Sequence, residues 1–283
     1  SVVATEVVPP QKRGSAIALM FTGLTLANVL GVPLGTWLGQ AFGWRSTFWL
    51  VAAIGVAGLI GVIALVPSLP RPTGSVLREL ATFRKGAVWL ALAMTVFGFA
   101  PVFAIITFIS PIMTGVAGFS AGAVPVVMVL FGVGMVIGNL LGGRFADRAV
   151  MPSIYGSVAA LTLVALVLAL LARNQIAFVV LITLFGVAAM ATATPLQTRV
   201  LDAASGAPVL ASAANIGAFN LGNALGSFLA GLTIQAGFGY TAPAWTSVLL
   251  GVVGLGVAGL AGWQARRRRV VTPGLTRVPA ATP

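Results

Sequence analysis

The side chains able to do chemistry in this chain are few, and most of them are neutral. There is no His and no Cys, and only four of the 283 residues are Asp or Glu. Metal binding needs clustered imidazole, thiolate or carboxylate ligands, and acid–base catalysis needs a titrating group beside the reacting one. Neither can be assembled here, so no catalytic residue, metal or cofactor is expected. No glycine-rich phosphate loop with its lysine occurs either. What remains is hydrogen bonding by amides and hydroxyls. Ser212, Asn215, Phe219, Asn223 and Ser227 recur at three- and four-residue spacing, on one face of a helix, with Asn220 at its edge. An amide in hydrocarbon faces protein or a water-filled cavity. The stripe therefore reads either as helix–helix hydrogen bonding or as the wall of a substrate cavity, and Thr25 and Asn28 read the same way. Phe99 and Phe103 flank Pro101, which lacks an N–H and so frees a carbonyl. Their rings either line a cavity for an amphipathic substrate or pack in the core or against lipid.

The elements that must position these groups are long apolar runs. Charged residues make up 7% of the chain and hydrophobic ones 59%, against about 25% charged in a soluble domain. Every charge falls between runs of about 20 apolar residues, a length that crosses a bilayer as a helix. The fold class is an all-α polytopic membrane protein with eight spans: Gly14–Gly39, Ser46–Val66, Gly86–Met113, Ala121–Gly143, Pro152–Ala172, Gln175–Pro195, Pro208–Gln235 and Thr241–Trp263. The sequence divides into residues 1–66, a Pro-rich basic linker at 67–85 with a short amphipathic helix at Ser75–Phe83, a six-helix unit at 86–263, and a basic disordered tail at 264–283. The tail's Arg266–Arg269 run reads as a stop-transfer anchor or as a docking site for lipid or protein. The chain starts at Ser1 without a visible cleavable signal, and reads as the later part of a longer protein.

The net charge of +12 would suggest nucleic acid in a soluble protein; here it follows the positive-inside rule. Alternating the loops places Lys12, Arg13, Arg71, Arg78, Arg84, Lys85, Arg144, Arg148, Arg199, the four tail arginines and Arg277 on one side. Only Arg45 and Arg173 lie on the other. Both ends of the chain are thus expected in the cytoplasm. Trp37, Trp44, Trp49 and Trp245 fall near outer span ends, and Trp89 and Trp263 near inner ones, as interfacial anchors do.

Two small-residue patterns stand out. Leu30-Gly31-Val32-Pro33-Leu34-Gly35-Thr36-Trp37-Leu38 in the first span and Leu221-Gly222-Asn223-Ala224-Leu225-Gly226-Ser227-Phe228-Leu229 in the seventh share one pattern. Each is followed by a short turn, Phe42-Gly43-Trp44 and Phe238-Gly239-Tyr240. A repeat six helices apart points to two six-helix halves of parallel topology. Gly31, Gly35 and Gly39, and likewise Gly134, Gly138 and Gly142, form ladders that let a partner backbone come close. The first ladder is expected to pack on the second, with smooth faces that let two halves rock.

These motifs resemble a known family. Ala27–Thr36, with Pro9-Pro10-Gln11-Lys12-Arg13-Gly14 before it and Gly43-Trp44-Arg45 after it, resembles the fifth helix of major facilitator proteins. Within these, the arabinose-efflux-type permeases of the bacterial twelve-spanner drug:proton antiporter group are the most similar. Gly138–Arg148 resembles the cytoplasmic loop motif as it recurs in the second half, and Phe219–Gly226 resembles the eleventh helix. The resemblance implies the major facilitator fold, with the fifth to twelfth of twelve helices present. It also implies proton-coupled efflux of a small amphipathic molecule, a drug or a sugar, across the inner membrane of a bacterial cell, by a monomer when full length. Arg144, Asp147 and Arg148 would form a cytoplasmic gate by charge pairing, or else a solvated loop that only sets topology. The fifth-helix signature is partial: Ala27-Asn28 stands where the family has Gly-Pro, and Gly31-Val32 where it has paired glycines. Export direction therefore rests on the subfamily resemblance. No ionisable residue lies mid-membrane, so a proton-coupling group is expected in the four helices not present. The competing function class is a truncated membrane fragment or scaffold that does not transport.

Overall fold

The computed structural model describes residues 27–65, 81–204 and 206–271, and the regular structure among them is helical throughout. A π-type turn at Ala27–Gly31 leads into α1 (Val32–Phe42), followed by α2 (Trp44–Leu65), α3 (Gly86–Ile106), α4 (Ile109–Gly115) and α5 (Ala123–Arg148). Then come α6 (Val150–Leu171), α7 (Gln175–Ala203), α8 (Pro208–Thr233) with a second π-type turn at Ile234–Phe238, and α9 (Ala242–Val271). Helices are the expected answer in lipid, because every backbone N–H and C=O must find a partner within its own segment.

Six of the described helices, α2, α3, α5, α6, α7 and α9, are long and apolar enough to cross a membrane. α8 has the length, with 26 residues, but Asn215, Asn220 and Asn223 lower its hydropathy. The first span lies mostly outside the described residues. The third span is not one helix. α3 ends at Ile106, and α4 restarts at Ile109. Pro111 explains the break, since its ring would collide with the Thr107 carbonyl and it has no N–H to offer. α7 begins on a capped turn, where the Asn174 side chain accepts from the Ala177 N–H at 3.0 Å, satisfying one of the free donors of the first turn.

α3 and α7 form the middle of the bundle. The main core joins α3 to α7 through Ile105, Ile112, Met113, Phe131, Leu161, Leu168, Phe178, Ile182 and Phe185, all buried. A second cluster gathers Val88, Ala91, Val200, Ala204 and Ala211, with Phe83 against it. In contrast, no residue of α2 is buried. All six tryptophans keep a surface face, from 48% exposed at Trp245 to 77% at Trp49.

The glycine ladders find other partners than their spacing suggested. A Cβ placed on Gly134, Gly138 or Gly142 would run into the α7 backbone at Thr183, Val187 and Ala191, one turn further at each step. α5 and α7 are therefore parallel and in backbone contact, with Gly186 answering against Phe131. The ladder of α1 is not their partner. Gly35 and Gly39 face Thr47 of α2, whose Oγ1 donates to the Gly35 carbonyl at 3.0 Å, and a Cβ at Gly31 would meet nothing within 4 Å. α1 does lie along α5, and Gln40 donates to the Ala121 carbonyl at 3.0 Å. The expected pairing of ladders fails because the face of α5 that carries its glycines is already filled by α7.

The repeat is visible in the turns that close it. Gly43 has φ 84° and ψ 157°, and Gly239 has φ 74° and ψ −176°. Both fall in a region that only glycine occupies without strain. The tail expected to be disordered at 264–283 lies mostly outside the described residues, and the part that is described, Gln264–Val271, continues α9. Ala and Arg are good helix formers, and no breaker occurs before Pro273. Most of the linker at 67–85 lies outside the described residues. Its end docks on the bundle, with Thr82 buried.

Candidate functional site

α8 carries the polar stripe, and two of its glycines decide how closely that stripe approaches α3. A Cβ at Gly222 would lie 2.6 Å from the Val96 carbonyl oxygen, and one at Gly226 would overlap the Ala100 carbonyl. Small residues at both positions let the backbones touch, so short side chains can bridge the helices. Phe219 then meets Phe99 edge to face, with ring centroids 4.8 Å apart and planes at 81°. Higher along the same seam, the Ser227 and Thr107 hydroxyls are 2.7 Å apart. Between these contacts lies Asn223. It is half-buried, and its Oδ1 is buried without a hydrogen-bond partner among the described residues.

Toward the other end of α8 the stripe turns to α7. The Asn215 amide donates to Gln197 Oε1 at 2.6 Å, and Gln197 Nε2 donates to Ser212 Oγ at 3.1 Å. Asn215 is wholly buried and its Oδ1 has no partner among the described residues. Of the two readings of the stripe, helix–helix hydrogen bonding accounts for Asn215, Ser212 and Ser227, and Asn223 keeps an unused acceptor. Asn220 is exposed and donates to the Ile216 carbonyl of its own helix. Phe103 is half-buried and packs on the main core. Thr25 and the side chain of Asn28 lie outside the described residues. Gln197 was missed in the sequence, although an amide between Pro195 and Arg199 in an otherwise apolar helix was the available signal.

Pro101 frees the Phe97 carbonyl as expected, and α9 covers it. A Cβ at Gly254 would lie 2.8 Å from that oxygen, and the buried Ser247 hydroxyl donates to the Pro101 carbonyl at 2.8 Å. α3 is thus gripped by α8 on one side and α9 on the other. Arg144, Asp147 and Arg148 are exposed at the C-terminal end of α5. Arg199, read from the sequence as a loop charge, sits inside α7 and is half-buried, with Nε lacking a partner among the described residues.

Apolar helices long enough to cross a membrane, packed around a polar seam, define a multi-pass α-helical membrane protein. The chain belongs to the Major Facilitator Superfamily, whose sequence profile matches residues 1–231. It is 43% identical over 265 residues to the inner membrane transport protein YdhP of Escherichia coli K12, covering 92% of this chain and 66% of that protein. It is 36% identical over 290 residues to the putative transporter AraJ of Escherichia coli K12, covering 98% and 71%. A chloramphenicol resistance protein of Streptomyces lividans is 36% identical over 263 residues, covering 90% and 66%. The chain thus spans about two thirds of the length of these relatives, and it corresponds to the fifth to twelfth helices of the family fold. The family is one of transporters, not enzymes.

Proposed function

We propose that this chain forms the larger part of a secondary active transporter that exports small amphipathic molecules, drugs or sugars, by alternating access with proton coupling. The α3–α8 seam carries the reading. It offers an aromatic pair for an apolar surface and, at Asn223, a buried acceptor that a substrate or water donor would satisfy. The similarity to a transport protein and to a chloramphenicol resistance protein supports export of such compounds. Residues 86–263 act as the C-terminal six-helix half and residues 1–66 as the end of the N-terminal half, joined by the 67–85 linker. The face of α1 at Gly31 and Pro33 would receive a helix of the N-terminal half as Gly222 and Gly226 receive α3, and the small-residue faces would let the halves rock. Asp147, Arg144 and Arg148 would gate the cytoplasmic side. A proton-binding group belongs in the first four helices of the family fold, because the spans here hold none at mid-membrane.

The test is transport in everted vesicles, with an imposed pH gradient and a panel of drugs and sugars. Asn223→Leu should lower the rate about tenfold, the equivalent of losing roughly 1.4 kcal/mol of interaction with the moving substrate. Gradient-independent flux, or unchanged rates in this variant, would overturn the coupling or the site respectively. Orientation is tested separately. Reporter fusions after Arg148 should report the cytoplasm and fusions after Gly118 the outside, as the distribution of Lys and Arg requires. A cytoplasmic signal at Gly118 would overturn that topology.

A further inference from the structure

α1 and α2 hold to the rest of the bundle lightly. None of the side chains described between Ala27 and Leu65 is buried. α1 and the π-type turn before it pack on α5, and α2 packs on α1. A contact without buried side chains lacks the close packing that holds helices together in lipid, so a specific bond across it counts for more. Such a bond lies near the end of α1, where the Gln40 amide donates to the Ala121 carbonyl at 3.0 Å. The receiving end is fixed. Ala121 belongs to the loop 116–122 that joins α4 to α5, and its carbonyl also accepts the Val124 N–H at 3.3 Å. Gln175, at the start of α7, donates to the Gly118 carbonyl of the same loop at 3.0 Å. The neighbouring Phe119 ring lies against Phe178, with centroids 5.8 Å apart. The Phe119 N–H donates to the Met113 carbonyl at 3.0 Å, and Ala117 is buried in the main core.

Two glutamines therefore grip one loop, Gln175 from α7 and Gln40 from α1. The other bonds of the loop tie it to α4, α5 and α7, so it cannot follow α1 away from α5. Any separation of those two helices at this end breaks the Gln40 bond. We propose that Gln40 is a latch, which holds the end of α1 against the start of α5, with the loop 116–122 as the fixed part on which it closes. Gln40 and Ala121 are exposed, and a neutral bond at such an edge suits reversible closure. It biases the two positions of α1 by about fivefold, and water takes its place when it opens. Its use in transport rests on the export reading above, in which the parts on either side of the linker move against one another.

The chain contains no cysteine, so spin labels can be placed by substitution in the whole chain, reconstituted in nanodiscs. Labels at A41C and R173C report the distance from α1 to the corner before α7, and labels at S120C and R173C report the loop itself. Double electron–electron resonance should give one dominant A41C–R173C distance in the parent. Gln40→Glu keeps the size and, above neutral pH, removes the donor, while Gln40→Ala removes the amide altogether. Each should raise the ratio of a longer distance to the dominant one by about fivefold. Gln40→Lys retains a donor and should stay close to the parent. The S120C–R173C distance should hold in every Gln40 variant and broaden in Gln175→Glu. An unchanged A41C–R173C distribution in both Gln40→Glu and Gln40→Ala would overturn the latch, and so would a loop that shifts along with α1. The readout is a distance and not a flux. The expected shift in a chain that exports nothing supports the latch while refuting the export reading, so the two failures are told apart.

Discussion

Gly138→Leu should separate α5 from α7 and leave the protein unable to hold its native bundle. A Cβ there overlaps the Val187 carbonyl oxygen and approaches the Val187 carbonyl carbon to 2.8 Å and its Cα to 2.9 Å. The obstacle is backbone, so no side-chain rotation relieves it. Overpacking by single methylenes costs about 1–3 kcal/mol in soluble cores, and Gly138→Ala belongs in that range. Leucine adds three further carbons at the same place and should exceed it. In lipid the penalty is not offset by a hydrophobic drive between helices, since the tails are as apolar as leucine, and close van der Waals packing is what holds the pair. The control is Gly156→Ala in α6, where a Cβ meets nothing within 4 Å. It should be neutral or stabilising by up to about 1 kcal/mol through helix propensity. Thermal unfolding in detergent, followed by tryptophan fluorescence, reads both. Equal unfolding temperatures for the two alanine variants would refute the backbone-contact account.

Gln197→Leu should be the most damaging polar-to-apolar change. Gln197 is the hub through which α8 bonds to α7, accepting from Asn215 at 2.6 Å and donating to Ser212 at 3.1 Å. Interhelical hydrogen bonds in membranes average only about 0.6 kcal/mol, so the lost bonds alone predict a small effect. The larger cost comes from Asn215, which is wholly buried and whose Oδ1 already lacks a partner. Without Gln197 its amide would be unsatisfied at both ends, at about 1–3 kcal/mol. The double variant Gln197→Leu/Asn215→Leu removes the stranded amide and should recover part of the loss. A double variant less stable than the sum of the two singles would refute the pairing.

How much of this was legible in the residues varies with the length scale. Among the described residues, the second span and the fourth to eighth coincide with helices, because bilayer thickness and backbone satisfaction act on each segment separately. Trp44–Leu65 against the expected Ser46–Val66 is a difference of ends only. The interruption of the third span is not legible in hydropathy, because Pro111 stands within a continuous apolar run. The extension of α9 was missed for a related reason. The end of hydrophobicity was read as the end of the helix, although Ala and Arg sustain a helix beyond the apolar stretch.

The amino-acid sequence by itself determined the class of protein, the apolar character of its helices and the family. Each of these depends on composition along one helix or loop. Only the tertiary structure decided the partners. A GxxxGxxxG face states that some backbone comes close, but every flat helix face satisfies that condition equally. Gly134, Gly138 and Gly142 chose α7, and Gly222 and Gly226 chose α3, through the arrangement of the whole bundle. The polar stripe shows the same division. Spacing put Asn215 and Asn223 on one face, but burial against Gln197 made the first a structural bond, while the second, in the seam beside Phe219, kept a free acceptor.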